Sequence, residues 1–391
     1  MKTKLVIFGI TGDLSRRKLL PALTEIANTG DYDDLSIVGV SRREVDVKEL
    51  LGDSVLLDRT SVHTMNLAEA GDYRGLSDYL ALQSDEQALI YLSVPPSAAA
   101  DIVDFLGQAG VNTPNVKILF EKPFGFDLVS AQDFLERTGH YFAEEQLYRI
   151  DHYMAKEVTQ YLLKLRANAE NHHHAWDSET VAAIEVVASE KIGVEGRGTF
   201  YEETGALRDF IQGHLMQLLS LVLMEIPTDL DLEKLAQYRL KALEALMPAN
   251  ADLARRGQYE GYQAEVENKG SLTETFASIE LFSDDERWEG VPLRLSTGKA
   301  LDEKRSYVTV SYRDGSSDTF EEGKTPIEGR LADAYERVLV EAINGRKAIF
   351  TTGPEVLRSW EIVAPVQQAW GMDNAPLELY APGTSLDNLL S

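Results

Sequence analysis

The sequence predicts two domains of different class. A doubly wound α/β domain of the Rossmann type occupies residues 1–148. A larger domain with a mostly antiparallel sheet and helices follows over 149–391. Three observations carry this. The chain has 391 residues, more than one ordinary hydrophobic core holds. Up to residue 148, short apolar runs rich in strand formers alternate with helical periodicity, the pattern of a parallel sheet covered by helices. From residue 276 onward, strand-like runs follow one another without helices between them, which implies antiparallel pairing.

Composition narrows the partners. A net charge of −26 disfavours nucleic acid and anionic membrane surfaces. A small anionic substrate remains compatible, because the acidic surface is largely screened beyond roughly 8 Å and a local basic cluster can prevail. With no cysteine in the chain, disulfides, thiolate chemistry and cysteine-ligated metals are excluded. The apolar run after Met1-Lys2-Thr3-Lys4 is too short for a secretory core and no run is long enough to span a bilayer, so a cytoplasmic protein is expected.

Leu5-Val6-Ile7-Phe8-Gly9 reads as a buried parallel strand. Gly9-Ile10-Thr11-Gly12-Asp13-Leu14 turns the chain into a helix over Ser15–Ala27. Such a turn either presents backbone N–H groups to a pyrophosphate or is an ordinary strand–helix connection. Leu35–Val40 is a second strand. Arg42 and Arg43 follow it, where an NAD site usually has a carboxylate for the ribose. Guanidiniums there suit a 2′-phosphate, so NADP is favoured and NAD stays possible. Ala88–Val94 and Val116–Phe120 are further strands. Pro95-Pro96 closes the first, and Glu121-Lys122-Pro123-Phe124-Gly125 closes the second. That places Lys122 at a carboxyl end facing the ligand crevice, with Pro123 a candidate cis bond.

Between the halves stands Arg149-Ile150-Asp151-His152-Tyr153-Met154-Ala155-Lys156-Glu157. Read as a helix to about Leu165, it puts His152 and Lys156 on one face, beside the Tyr153 hydroxyl. Those donors suit a phosphate dianion, and a solvated helix start is the alternative. His172-His173-His174 reads as a loop rather than a metal site, since adjacent histidines diverge.

Val181–Ser189 is a strand closed by Glu190. Leu207 to Leu223 reads as part of one helix, in which Asp209 and His214 stand about 140° apart and do not share a face. Gly213 permits a close approach or a kink there. Phe276–Phe282, Val291–Thr297 and Tyr307–Tyr312 are strands, and Gly298–Arg305 sets Lys299, Lys304 and Arg305 in one connection, a candidate anion site or a solvated hairpin tip. Asp333–Gly345 and Pro354–Trp370 are helices, and 377–391 is loop with a final turn.

GITGDLSRRKLLPAL, YLSVPPS, EKPFG, YRIDHYMAKE, GALRDFIQGHLMQ, SLTETFASIEL, RWEGVPLRLSTGKALDEK and DAYERVLVEAINGRKAIF together resemble the glucose-6-phosphate dehydrogenase family, in order and along nearly the whole chain. The resemblance implies NADP-dependent oxidation of glucose 6-phosphate at C1, the first oxidative step of the pentose phosphate pathway. His214 would be the general base and Asp151 its orienting carboxylate. His152, Tyr153 and Lys156 would hold the 6-phosphate, with Lys304 nearby. Glu190, Asp209, Lys299 and Lys122 would contact sugar hydroxyls. Gly9, Thr11, Gly12, Asp13, Leu14, Arg42, Pro95 and Lys122 would face the cofactor. No metal is implied. A homodimer is the expected assembly, although the chain is shorter than usual members, chiefly between Tyr307 and Pro326, where they carry extra sheet strands. Gly213 also replaces the family's usual asparagine before the histidine. Two rivals remain: an oxidoreductase of the glucose–fructose oxidoreductase type, which lacks the reason for His152-Tyr153-Lys156, and a non-catalytic NADP-binding protein, which would not need Asp151 and His214.

Overall fold

The structure, a computed structural model, describes residues 1–167, 176–226, 231–324 and 332–391. The histidine run at 172–174 lies outside the described residues. The chain divides into two compact units. The first comprises Met1–Gly125, Val129–Ala155 and Ala332–Gly353, and the second Phe126–Leu128, Lys156–Leu331 and Pro354–Ser391.

Early strands of the first unit are β1 (Lys2–Phe8), β2 (Leu35–Ser41), β3 (Thr60–Thr64), β4 (Glu86–Leu92), β5 (Val116–Glu121) and β6 (Leu147–Ile150). In the second unit come β7 (Val181–Ser189), β8 (Arg255–Tyr259), β9 (Phe276–Leu281), β10 (Leu293–Gly298), β11 (Arg305–Tyr312) and β12 (Ser317–Glu321). The last two are β13 (Phe350–Thr351) in the first unit and β14 (Glu378–Tyr380) in the second.

Among the described residues, the first sheet runs β13-β6-β5-β4-β1-β2-β3. Strands β1–β6 are all parallel, in the doubly wound order whose switch point lies between β1 and β4. Leu5, Val6, Ile7 and Phe8 of β1 are fully buried, as expected for a strand covered on both faces. β13 adds antiparallel to β6. Arg149, 1 % exposed, fixes this edge by a two-pronged bond to Glu144 at 2.7 and 3.1 Å, and Glu144 also accepts the Gly353 N–H.

The second sheet runs β12-β11-β7-β10-β9-β8-β14. Four of its six pairings are antiparallel, while β7–β10 and β8–β14 are parallel. A mostly antiparallel sheet is therefore correct, with one parallel pairing at its centre, between β7 and β10, and one at its edge, between β8 and β14. In the same unit Arg239 and Glu355, both 0 % exposed, form an ion pair at 2.7 Å.

Three element predictions are corrected. Asp151 to Leu165 is not one helix. His152–Ala155 is a 3₁₀ turn, and the α-helix spans Glu157–Ala167. Asp151 is the cause: its side chain accepts the Tyr153 N–H at 3.0 Å and its carbonyl accepts the Met154 N–H at 3.0 Å, a local turn that competes with the α-helical ladder. The helix before Leu223 is likewise segmented, as Gly198–Ala206, a π-helix Leu207–Leu215 and an α-helix Met216–Leu223. The C-terminal loop contains β14 and a short helix Leu386–Leu390.

Candidate functional site

The glycine turn after β1 borders a cavity of about 720 Å³ in the first unit, lined by Gly9, Thr11, Gly12, Arg42, Arg43 and Pro95 among others. Gly9 has φ 78°, and a Cβ on it would lie 2.3 Å from the Ser93 carbonyl oxygen. Only glycine allows the chain leaving β1 to approach the chain leaving β4 that closely. The turn closes through the Gly12 N–H to the Gly9 carbonyl at 2.9 Å, and Ser15 Oγ donates to the same carbonyl at 2.9 Å. Arg42 and Arg43 are exposed at the end of β2. The donors, the size and the two cations fit a dinucleotide phosphate. Asp13 pairs with Arg17 at 2.7 Å with both side chains exposed, and neither Asp13, Leu14 nor Lys122 lines this cavity.

At the carboxyl ends of β4, β5 and β6, the first unit gathers a second set of groups. The Tyr91 hydroxyl donates to the Glu121 carboxylate. Burial pushes the Glu121 carboxyl up to about 7, with the Asp151 charge adding to the rise and the Tyr91 bond and Lys122 opposing it. Asp151 is 2 % exposed. His152 stacks on the Tyr335 ring at 6.4 Å, nearly parallel, and sits edge-on to Tyr153 at 5.1 Å. The Lys122–Pro123 bond is cis. Sequence reasoning passed over Tyr91, Glu121 and Tyr335. Only Glu121 carried a signal, as the acid that opens a turn at a strand's carboxyl end.

The second unit builds its polar cluster around Lys299. This lysine is 2 % exposed, its ammonium bonds Glu190, and it lies 5.0 Å from the Tyr201 ring and 5.8 Å from the Phe210 ring. Phe210 in turn sits edge-on to His214 at 5.5 Å, and His214 is 6 % exposed. Burial drives the Tyr201 phenol well above its ordinary range, and the Asp209, Glu274 and Glu190 charges reinforce it. The helix bearing Asp209 and His214 packs on β7, β9 and β10. Because a π-helix bonds residue i to i+5, positions five apart come round to one side. Asp209 and His214 thus share a face, against the 140° separation that an α-helix would impose.

The three bases of the β10–β11 connection do not form one cluster. Lys299 is buried and Lys304 exposed, while Arg305 bonds Glu321 at 2.9 Å and Glu303 at 3.2 Å. Lys156 pairs with Glu322 at 2.9 Å. A second cavity, about 340 Å³, is bordered by Arg256, Glu274 and Trp370 and contains none of the predicted site residues.

Comparison with known proteins points to one family along the chain. The family model described as the glucose-6-phosphate dehydrogenase NAD binding domain matches residues 6–54 and 53–161, and that described as the C-terminal domain matches 163–328 and 322–388. The chain belongs to the glucose-6-phosphate dehydrogenase family. A glucose-6-phosphate 1-dehydrogenase of Gluconobacter oxydans is 32 % identical over 457 aligned residues, covering 97 % of this chain and 93 % of the relative. A solved glucose-6-phosphate dehydrogenase in complex with glucose 6-phosphate superposes with a TM-score of 0.89 at 27 % identity, covering 100 % of this chain and 97 % of that one. The enzyme from Mycobacterium avium gives 0.85 at 29 % identity, with 98 % and 94 % covered. The C-terminal family model restarts at 322–328, inside or beside the region read as shortened. No described helix is long and apolar enough to cross a membrane.

Proposed function

We propose that the chain oxidises glucose 6-phosphate at C1 to 6-phosphogluconolactone with NADP, as a cytoplasmic homodimer, and that cofactor and substrate functions divide near residue 149. One observation carries the reading. Both family models match, and the positions they span hold the complete Arg-Ile-Asp-His-Tyr-x-x-Lys-Glu and Gly-Ala-Leu-Arg-Asp-x-x-x-x-His-Leu motifs.

Turning a hemiacetal into a lactone removes a hydride from C1 and a proton from its hydroxyl. NADP, when bound, accepts the hydride at its nicotinamide. His214 takes the proton, a role that suits imidazole because it is the side chain that exchanges a proton most readily near neutrality. Asp151 orients that imidazole and stabilises its protonated form. Glu190, Asp209, Lys299 and Lys122 bind the sugar hydroxyls, and the buried Lys299–Glu190 pair suits a polyol because it offers a donor and an acceptor already fixed. His152, Tyr153, Lys156 and Lys304 take the 6-phosphate, with Lys156 exchanging Glu322 for a phosphate oxygen. Three charge-assisted bonds give a gross of about 5–9 kcal/mol against an association cost of about 4–15 kcal/mol, so the phosphate grip alone binds weakly and hydroxyl contacts must add to it. Gly9, Thr11, Gly12, Asp13, Leu14, Arg42 and Pro95 hold the dinucleotide, with Arg42 on the 2′-phosphate.

Initial rates with glucose 6-phosphate, other hexose 6-phosphates and free glucose, each with NADP and NAD, test this. Glucose 6-phosphate with NADP should be fastest. Turnover of free glucose alone would instead indicate the glucose–fructose oxidoreductase type, and no reduced cofactor with any sugar would sink the reading.

A further inference from the structure

The helix that carries Asp209 and His214 begins abruptly. At Gly205 the preceding helix is broken by φ 64° and ψ 177°. Such a break leaves the first N–H groups of the next helix without intrahelical partners. Two of them meet the same residue. The Ala206 N–H donates to the Glu274 main-chain carbonyl at 2.9 Å, and the Leu207 N–H donates to the Glu274 carboxylate at 2.9 Å. Glu274 is 7 % exposed. Burial raises its carboxyl above the ordinary range, while the bond from Leu207 pulls it down. Gly205 makes the room, since a Cβ there would lie 2.5 Å from Glu274 Oε1.

The next residue ties down the other half of the cluster. The Thr275 carbonyl accepts the Lys299 N–H at 2.9 Å. Tyr380 hydroxyl donates to the Lys299 carbonyl at 2.8 Å and lies 2.8 Å from Thr275 Oγ1. One dipeptide, Glu274-Thr275, therefore holds both the start of the π-helix and the backbone of the lysine that pairs with Glu190.

We propose that Glu274 is a positioning residue for the sugar oxidation, a role that rests on the functional reading above. It acts on the register of the π-helix. This conformation is rare and seldom extends beyond a turn, so its ends must be held. Released at Leu207, the segment can tighten to α-helical register, which carries Asp209 and His214 from one side of the helix to about 140° apart. Displacements of about 1 Å in a reacting group cost about 10²-fold.

Three variants of the full chain test the idea: Glu274→Ala, Glu274→Gln and Gly205→Ala. They are assayed with glucose 6-phosphate and NADP beside wild type and His214→Asn, with amide hydrogen exchange over 205–215. In Glu274→Ala, protection at Ala206 and Leu207 should fall and kcat/KM for the sugar phosphate should drop about 10²-fold. KM for NADP should stay within about twofold, because the dinucleotide cavity belongs to the other unit. Glu274→Gln keeps an acceptor oxygen in place and should stay within about threefold of wild type. Gly205→Ala should reproduce the loss with Glu274 present. If Glu274→Ala aggregates, the contrast between Gln and Gly205→Ala carries the test. Wild-type-like kcat/KM in Glu274→Ala or Gly205→Ala, or a Gln variant as impaired as Gly205→Ala, overturns the proposal while an inactive His214→Asn leaves the functional reading standing. A wild-type protein without turnover of any hexose 6-phosphate overturns both.

Discussion

The cofactor cavity of the first unit and the polar cluster of the second are built from different materials. The cavity is organised by a backbone turn. Gly9 and Gly12 set that turn, Ser15 and the Gly12 N–H lock it, and the charged groups on the lining, Arg42, Arg43 and Asp101, are all exposed. The cluster is mostly buried charge, with Lys299 on Glu190 between two aromatic rings and His214 edge-on to one of them. Exposed ions are screened and contribute little one at a time. Buried ions are costly to leave unpaired. A single substitution should therefore be far more damaging in the second unit than at the rim of the first.

The largest effect is expected for His214→Asn, which should lower kcat by about 10²–10⁴-fold, the usual contribution of a positioned base. KM for NADP should hardly move. Near-normal kcat in this variant would remove His214 as the base. Next comes Lys299→Met. It leaves Glu190 without its cation in a largely dry setting, and removing one partner of a buried pair costs about 3–5 kcal/mol. Because Glu190 is 20 % exposed, the loss should fall at the lower end of that range in urea unfolding. Double substitution to Lys299→Met with Glu190→Leu should recover stability without recovering activity.

A smaller effect, with a distinctive pH dependence, belongs to Glu121. Its carboxyl stands at about 7 in the folded chain against an ordinary 4.5. The folded state thus binds more protons than the unfolded state between those values, and stability must fall as pH rises through that window. At about 1.4 kcal/mol per unit, the loss is at most about 3 kcal/mol above pH 7. Glu121→Gln should flatten this slope, leaving stability little changed at pH 4.5 and raising it at pH 8. Parallel wild-type and variant curves over pH 4.5–8 would mean that Glu121 ionises like a surface carboxylate.

The same contrast explains what was legible in the sequence. β1, β2, β4 and β5 announce themselves as apolar runs, and the turn at Gly9–Gly12 follows from a strand meeting a helix, so the first unit was readable from local pattern. β3, β6, β8, β12, β13 and β14 were missed because short or half-polar strands owe their pairing to neighbours rather than to composition. In the second unit the individual site residues could be named through family resemblance, while their arrangement could not. Nothing local distinguishes a π-helix over Leu207–Leu215 from an α-helix, since its register is held by Glu274, 67 positions away along the chain from Leu207. The Lys299–Glu190 pair likewise joins residues 109 apart. Lys299, Lys304 and Arg305 looked like one basic cluster because sequence shows proximity along the chain, whereas each meets a different environment.

Arg42 offers the mildest test and the one that bears most directly on cofactor choice. It is exposed at the end of β2 with Arg43 beside it, so Arg42→Ala leaves one cation near the 2′-phosphate position. A charge-assisted bond to phosphate contributes about 1.5–3 kcal/mol. With the neighbour retained and solvent near, the lower end applies, which corresponds to about a tenfold rise in KM for NADP. NAD has no 2′-phosphate, and its KM should shift by less than about twofold. The NADP effect should also shrink as salt is raised, because screening weakens the guanidinium that remains in the wild-type contact. Equal shifts for both cofactors would assign Arg42 to the turn's structure. A selective shift at low salt that fades at high salt would assign it to the phosphate, and Arg42→Ala with Arg43→Ala should then extend the discrimination further.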